Sequence, residues 1–530
     1  MPLDHPLFEG LIASRTQIAP PNYIWQPPGQ HGVEVVGRVL FPHLQEELRD
    51  HVALTAYGMV HVARILEPNP ELRTETRFTE AALPHVTIEN AIRTLHADHS
   101  VRVFNLSIGY RDAIDRVHVE ELSEVLDDLA KELDVVIVVP TGNVPVNMNG
   151  QTPTGHHVED YPHFLDHPLW RLTVPGDSAI SLTVGSIAHS DAPEERERPR
   201  IGWRAVAPVD HVSPFSRTGP GVGTSAKRLN KPDLVEYGGN WVLDDMDSVH
   251  ARESGVGVIS TSLSGSGALF AACCGTSFAA PVVARIAADT LHAYPQASAN
   301  LIRALVANSA HLPQPALAIE DAAQRFRLYG HGRPNRDRAI GSGPRRVSMT
   351  FDGSMAVDSV VIHPVLIPAE FAIGRSASRI IRVALAFDPP VRRQRREYLA
   401  ANMQLDLYRA VDAETLIDVL SRQDPNDPEP LISGRRRVSN LAPGPGSWRS
   451  STLIVREWQP RQLNVDDGEI YYVAISHRSQ TWARDRSEYT EQKYALVVTL
   501  EDEARLDLDL YALVAQRLRQ PVRVRLRSSS

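Results

Sequence analysis

The stretch 271–289, AACCGTSFAAPVVARIAAD, decides how this chain is interpreted, because it places a serine at the start of a helix. Gly275 permits a sharp turn, and Thr276 can hydrogen-bond within it. Ser277 then lies at a helix N-terminus, where free N–H groups and the helix dipole favour negative charge. We expect Pro281 in the first helical turn, where a missing N–H costs nothing. Gly-Thr-Ser alone would indicate a serine that only caps the helix. The full GTSFAAP segment predicts a reactive serine instead.

A serine hydroxyl is a poor nucleophile unless a base takes its proton, an acid orients that base and donors hold the oxyanion. Three upstream segments offer candidate partners. QHGVEVVGRVL (30–40) places His31 at the opening of a Val-rich helix, and DVVIVVPTGNVP (134–145) ends a buried strand at Asn143. VFNLSIG (103–109) is a short apolar strand that ends in a Ser-x-Gly turn.

GTSFAAP resembles the Gly-Thr-Ser-x-Ala-x-Pro nucleophile motif of the subtilases, the subtilisin-like serine peptidases. QHGVEVVGRVL is similar to the family's His-Gly-Thr-x-Val-Ala-Gly segment, although Val33 and Val36 replace the usual Thr and Ala. The resemblance covers roughly residues 3–312. It implies that Ser277 is the nucleophile and His31 the general base.

Two further segments extend this resemblance. The strand ending in Thr-Gly-Asn is similar to the family's strand ending in Ala-Gly-Asn, which implies that the Asn143 amide donates to the oxyanion with the Ser277 N–H. VFNLSIG resembles Asn-Met-Ser-Leu-Gly, which implies that Ser107 and Gly109 border the groove where extended substrate pairs. Outside this context, His31 would be an ordinary surface or core histidine and Asn143 a turn residue.

The aspartate of the family's triad has no counterpart upstream of His31. In the family it ends a strand in an Asp-Ser/Thr-Gly turn, and a His-Pro segment follows, which DHPLF (4–8) matches. Three interpretations remain open: the sequence starts at an internal methionine after the aspartate, Asp4 replaces the aspartate, or the protein lacks it. We favour the first. Loss of this acid costs about 10⁴ in kcat in a serine protease.

Alternating strand-like and helix-like segments predict an α/β fold. We predict strands at 56–66, 101–109, 135–143 and 179–188, and helices at 32–40, 87–98 and 119–133. The resemblance makes 1–312 a subtilisin-like peptidase domain, a parallel sheet with helices on both faces that lacks the first strand and its aspartate. We predict a linker at 313–345, a C-terminal antiparallel β-sandwich at 346–503, and a helix with a basic tail at 504–530.

Composition excludes several classes of protein. The chain has 530 residues, 42% hydrophobic and 22% charged, with a net charge of −9, which gives no case for nucleic-acid binding. Its two cysteines, Cys273 and Cys274, are neighbours and cannot form a disulfide framework. We find neither a signal peptide nor the run of about 18 apolar residues that crosses a bilayer. We therefore expect a cytoplasmic protein without a membrane partner.

The sequence predicts no cofactor and no metal site. GHHVEDYPHFLDHP (155–168) lacks standard zinc spacing and is interpreted as a polar loop, and no calcium site can be mapped.

The predicted function is a serine endopeptidase acting on peptides or proteins; the alternative is a catalytically impaired, subtilase-like peptide-binding protein. An esterase or lipase with a Gly-x-Ser-x-Gly elbow fits poorly, because GTSFA lacks the second glycine and the histidine precedes the serine. Resemblance to cytosolic bacterial subtilases further implies an ATPase partner encoded nearby.

Overall fold

The computed structural model describes most of the chain. The described residues are 4–18, 30–69, 76–80, 82–114, 118–146, 151–152, 157–193, 202–222, 229–263, 267–422, 437–444, 451–464, 470–484 and 487–518. None of the helices in these ranges is long and apolar enough to span a bilayer.

The first part of the chain alternates strands and helices. Its strands are β1 (Ile12–Gln17), β2 (Val60–Arg64), β3 (Glu67–Pro68), β4 (Thr76–Arg77), β5 (Val103–Asn105), β6 (Val136–Pro140), β7 (Leu182–Ile187), β8 (Arg204–Ala205), β9 (Leu234–Tyr237), β10 (Val242–Leu243), β11 (Val249–His250), β12 (Val258–Thr261) and β13 (Phe270–Cys273). Its helices are α1 (His31–Leu40), α2 (Leu44–Arg49), α3 (Pro84–His99), α4 (Glu121–Leu133), α5 (Thr276–Ala293), α6 (Ala299–Ser309), α7 (Gln314–Leu317), α8 (Ala322–Tyr329) and α9 (Arg336–Ile340).

A four-stranded parallel sheet, in the order β5-β6-β7-β9, lies at the centre of this region. Every residue of β6 and β7 is buried, as expected for parallel strands covered on both faces. Val136 and Val138 pack with α5 and α6, whereas Ile137 and Val139 pack with α3 and α4. The predicted fold class, a parallel sheet with helices on both faces, is therefore confirmed.

The pair β1-β2 is parallel but forms a separate two-stranded sheet. Val60 and Val62 of β2 pack with α1, and Ala63 packs in the cluster that contains α3 and Phe104 of β5. In the described ranges, no strand pairs with the second edge of β2 or with the edge of β5 that faces away from β6. Most of β2 is only half-buried as a result, in contrast to the complete burial of β6.

The C-terminal region contains antiparallel strands, as predicted. They are β14 (Arg346–Ala356), β15 (Val360–Leu366), β16 (Arg379–Phe387), β17 (Ala401–Tyr408), β18 (Leu453–Trp458), β19 (Ile470–Ser479) and β20 (Glu491–Asp502), with α10 (Ala369–Ala372), α11 (Ala413–Arg422), α12 (Thr481–Arg484) and α13 (Leu510–Leu518) between or after them. The sheets β14-β20-β16-β18 and β15-β19-β17 enclose one apolar core. The basic tail predicted after α13 lies outside the described residues.

Helix α6 joins the two regions. All of its residues are buried, because it packs against the parallel sheet and against β16 and β20 of the sandwich. Arg303, at its centre, donates to the Thr452 hydroxyl at 2.7 Å and to the Phe387 carbonyl at 3.2 Å. The two regions therefore share a packed interface.

Two segments differ from the predicted pattern. The 313–345 stretch, predicted as a linker from its turn-forming residues, contains α7, α8 and α9 and buries Ala316, Tyr329 and Ala339. Apolar residues spaced within short helices dock this stretch onto the first region. The predicted polar loop 155–168 lies partly outside the described residues; its remainder forms short 3₁₀ turns that bury Phe164 and lead to the buried Trp170.

Candidate active site

Ser277 is the second residue of α5 and is half-buried. Gly275 precedes the helix with φ +151°, and a Cβ there would lie 3.2 Å from Nδ2 of Asn143. The turn therefore needs glycine, both for its backbone conformation and for the close approach of the Asn143 amide. Because the first N–H groups of a helix have no intrahelical acceptor, the Ser277 N–H is available to a ligand.

Pro281 is the sixth residue of α5, so the prediction that it lies in the first turn is wrong. At this position it lacks the N–H that would bond to the Ser277 carbonyl four residues earlier. The hydroxyl of Ser107 donates to that carbonyl instead, at 3.0 Å, and Nδ2 of Asn105 donates to the Ser107 oxygen at 2.9 Å. The proline thus frees a helix carbonyl through which the end of β5 is tied to Ser277.

Asn143 follows β6 and faces the same turn. Its Oδ1 accepts hydrogen bonds from the Thr276 N–H at 2.9 Å and from the Thr276 hydroxyl at 3.1 Å. Since a backbone N–H can only donate, the atom that meets it must be the amide oxygen. The amide NH₂ is consequently on the side next to Gly275, available as a donor beside the start of α5.

His31 is the first residue of α1. Its ring centroid lies 5.5 Å from that of Phe278, the residue after Ser277. Nε of Arg38 also donates to the Phe278 carbonyl at 3.3 Å, so α1 packs against the first turn of α5. No hydrogen bond within the described ranges joins the His31 ring to the Ser277 hydroxyl, although catalytic contacts are often long before substrate binds.

The surroundings of His31 favour its neutral form. Solvent reaches the residue, yet the protein packed around it lowers the pKa of the imidazole below 6.5 through desolvation. The charge of Glu34 raises this pKa, and that of Arg252 lowers it. Glu34 is completely buried and pairs with Arg252 at 2.8 Å. This shift favours the neutral imidazole, the form that a general base needs.

The described ranges show no carboxylate hydrogen-bonded to His31. Asp4, one of the three interpretations of the missing acid, has a side chain 82% exposed and pairs with Arg15 at 3.4 Å. His5 beside it is buried, and its Nε2 bonds to the Leu269 carbonyl at 2.9 Å. Asp4 is thus held by a surface ion pair rather than by the imidazole that it would have to orient.

Gly109 lies two residues beyond Ser107, where the chain continues from β5. A Cβ there would lie 2.9 Å from the Val174 carbonyl oxygen and 3.3 Å from Oγ1 of Thr173. The hydroxyl of Thr173 also approaches Gly142 too closely for any larger residue. Thr173 therefore separates the two glycines, a role that sequence reasoning missed because the contacts cross more than 30 residues.

The two cysteines are not competing nucleophiles. Burial raises the pKa of Cys274 to about 12 and also raises that of the Cys273 thiol. Since the thiolate is the reactive form, both groups are unreactive at neutral pH. In the described part of the chain, no cluster of three or more histidine, cysteine or acidic side chains is placed to hold a metal ion.

Sequence comparison gives two matches. The Subtilase family model matches residues 11–343. The protein y4bN of Sinorhizobium fredii, whose description is "uncharacterized", is 33% identical over 444 residues, which cover 82% of this chain and 99% of that protein.

Two solved protease structures match this chain at low similarity. The prenylagaramide maturation protease PagA is 17% identical with a TM-score of 0.37, over 64% of this chain and 88% of its own. The epidermin leader peptide processing serine protease EpiP of Staphylococcus aureus is 14% identical with a TM-score of 0.39, over 64% of this chain and 72% of its own.

Proposed function

This chain belongs to the subtilase family of serine proteases, and we propose that it is an endopeptidase that forms an acyl-enzyme on Ser277. His31 takes the proton from the Ser277 hydroxyl as the oxygen attacks the scissile carbonyl. The imidazolium then gives that proton to the leaving amine. Water, deprotonated by the same imidazole, hydrolyses the ester and restores the serine.

One observation carries the proposal: the Asn143 amide oxygen accepts from both the N–H and the hydroxyl of Thr276. These bonds fix the amide so that its NH₂ lies beside Gly275, two residues before the proposed nucleophile. The NH₂ of Asn143 and the free N–H of Ser277 together supply two donors for an oxyanion. Donors fixed before the reaction stabilise the developing charge without reorganisation.

Substrate would bind as an extended peptide along the end of β5. Ser107 and Gly109 are the proposed bordering residues, and strand-like pairing would occur at the exposed Gly109, before Tyr110, whose N–H donates to the Val174 carbonyl at 2.8 Å. A cytoplasmic location and an ATPase partner encoded nearby remain proposals. The two free cysteines, one buried and one half-buried, are compatible with a reducing compartment.

A second candidate is a peptide-binding protein with impaired catalysis. It is favoured by the observation that, in the described ranges, no carboxylate bonds to His31. An imidazole without an orienting acid loses both its fixed tautomer and the stabilisation of its cation. Such a protein would keep the groove and the oxyanion donors while turning substrate over slowly.

A fluorophosphonate probe tests the proposal, because it reacts only with an activated serine. We expect one adduct per chain, located on Ser277 by peptide mass spectrometry and absent in Ser277→Ala. Ser298→Ala is the matched control, since Ser298 also lies at a helix N-terminus, where its hydroxyl accepts the Leu301 N–H and donates to Asp352. Internal cleavage of a casein substrate by the wild type supports an endopeptidase. Peptide binding without labelling or cleavage supports the second candidate instead.

A further inference from the structure

Arg217 is a buried cation behind the candidate active site. The residue is only 4% exposed. Its guanidinium donates to four main-chain carbonyls: Asn143 from Nε at 3.1 Å, Leu169 and Arg171 from Nη1 at 2.7 and 3.0 Å, and Arg111 from Nη2 at 2.8 Å. A planar group with donors in fixed directions is suited to join several carbonyls at once.

The carbonyls come from three segments that meet at the proposed site. One belongs to Asn143, the proposed oxyanion donor. Another belongs to Arg111, two residues after Gly109 on the proposed substrate edge. The remaining two belong to residues 169 and 171, which lead to Thr173 between the glycines. Arg217 is thus bonded to three backbone segments that carry or lead to proposed site residues.

The backbone around Arg217 strengthens this attachment. The Arg217 N–H donates to the Gly142 carbonyl at 3.1 Å, and the Val144 N–H donates to the Phe215 carbonyl at 2.8 Å. A Cβ on Gly142 would lie 3.1 Å from Cδ of Arg217. Asn143 is therefore held at two points, its main chain by Arg217 and its side chain by Thr276.

All four hydrogen-bond acceptors of this guanidinium are neutral. Burial lowers the pKa of Arg217 to about 10, against the charge of Asp112, which raises this pKa without a hydrogen bond to the guanidinium. The group still carries its proton at neutral pH. A positive charge that no hydrogen-bonded carboxylate neutralises, in a region of low dielectric, acts on negative charge that develops nearby.

We propose that Arg217 is a positioning residue that holds the Asn143 donor in its productive orientation and adds positive potential to the oxyanion site. This inference rests on the proposed function. A residue that only joined loops would stabilise the ground state and the transition state equally, so its loss would lower stability and leave kcat unchanged. A residue that positions an oxyanion donor acts on kcat rather than on KM.

The test compares Arg217→Met with Arg456→Met. Arg456 is the control because it is also buried and donates to three carbonyls within the sandwich, those of Pro443, Leu405 and Leu441, besides its ion pair with Asp406 at 3.1 Å. For Arg217→Met we expect kcat to fall about tenfold to a hundredfold, with KM changed by less than about threefold. Phosphonate labelling of Ser277 should slow in proportion, whereas Arg456→Met should lose thermal stability only.

Arg217→Lys serves as a second variant if Arg217→Met does not fold, since lysine keeps the charge but has three donors on a single atom for four carbonyls. The kcat of Arg217→Lys should lie between those of Arg217→Met and the wild type. If the labelling rate and the kcat of the folded variants stay within about twofold of the wild-type values, Arg217 only joins loops and the inference is wrong.

Hydrogen exchange separates this outcome from failure of the proposed function. Arg217→Met should increase amide exchange at residues 109–112 and 141–144, which Arg456→Met should leave unchanged. If the wild type is neither labelled nor active, the proposed function fails, and the exchange result alone decides whether Arg217 positions these segments. Unchanged exchange at both segments overturns the inference.

Discussion

The two sides of the candidate active site are held in different ways. On the oxyanion side, Asn143 follows a completely buried strand and is fixed by hydrogen bonds from Thr276 and Arg217. On the base side, His31 lies on a helix that packs over the half-buried pair β1-β2, and no described carboxylate bonds to its ring. The described residues therefore hold the proposed oxyanion donor in place, whereas the proposed proton transfer depends on an imidazole with fewer described contacts.

The largest expected effect tests whether the base side functions at all. His31→Ala should lower kcat/KM on the order of 10⁴-fold or more, because the Ser277 hydroxyl then has no base. His61→Ala is the control, since His61 lies on β2 and stacks on His99 with ring centroids 4.6 Å apart. Steady-state kinetics on a peptide substrate provides the measurement. Equal losses in both variants would mean that His31 supports the fold rather than the chemistry.

The next effect tests the oxyanion side. Asn143→Asp keeps an oxygen to accept from Thr276 but has no NH₂ to donate, so kcat should fall on the order of 10²- to 10³-fold. Thermal unfolding should change little. Asn335→Asp is the matched control, because Oδ1 of Asn335 likewise accepts a backbone N–H, that of Arg338, at 3.0 Å. A kcat within about twofold of the wild type would remove Asn143 from the mechanism.

A smaller effect tests the connection between β5 and α5. Ser107→Ala leaves the Ser277 carbonyl without its donor and should cost about 1 kcal/mol of unfolding free energy. In Pro281→Ala, residue 281 regains an N–H that can bond to the same carbonyl, so Ser107→Ala should cost less in that background. Denaturant unfolding of the four proteins measures the coupling. Additivity within about 0.3 kcal/mol would show that the two residues act independently.

The smallest effect concerns pH. Since the base must be neutral, kcat/KM should rise as the pH increases through the pKa of His31, with a midpoint below 6.5. Glu34→Gln removes the charge that raises this pKa, so the midpoint should move to a still lower pH. Glu47→Gln is the control, because Glu47 only accepts from the Thr55 N–H near the surface. A midpoint that moves upward in Glu34→Gln would contradict the electrostatic assignment.

The sequence predicted the fold class because the motifs lie at the ends of strongly apolar segments. The predicted strands at 135–143 and 179–188 correspond to β6 and β7, which are shorter at their ends because the final residues turn into loops. The helix predicted at 87–98 is longer, Pro84–His99, since a proline is well tolerated in its first turn. Local pattern therefore identified these elements but not their boundaries, and it missed the helices α7, α8 and α9.

The site was only partly predictable for a different reason. Local motifs predict Ser277, Asn143 and Ser107 as site residues, and the structure brings them together around the start of α5. Thr173 and Arg217 have no local motif of their own. Their contacts cross tens of residues, and an arginine that donates only to carbonyls leaves no complementary acid in the sequence to reveal it.

A structure with a peptide boronic acid tests the central claim most directly, because boron forms a tetrahedral adduct with an activated serine. The account predicts a bond from boron to Oγ of Ser277, with one boronate oxygen about 3 Å from both Nδ2 of Asn143 and the Ser277 N–H. An inhibitor that occupies the groove without bonding to Ser277, or an adduct whose oxygens all point away from Asn143, would contradict it.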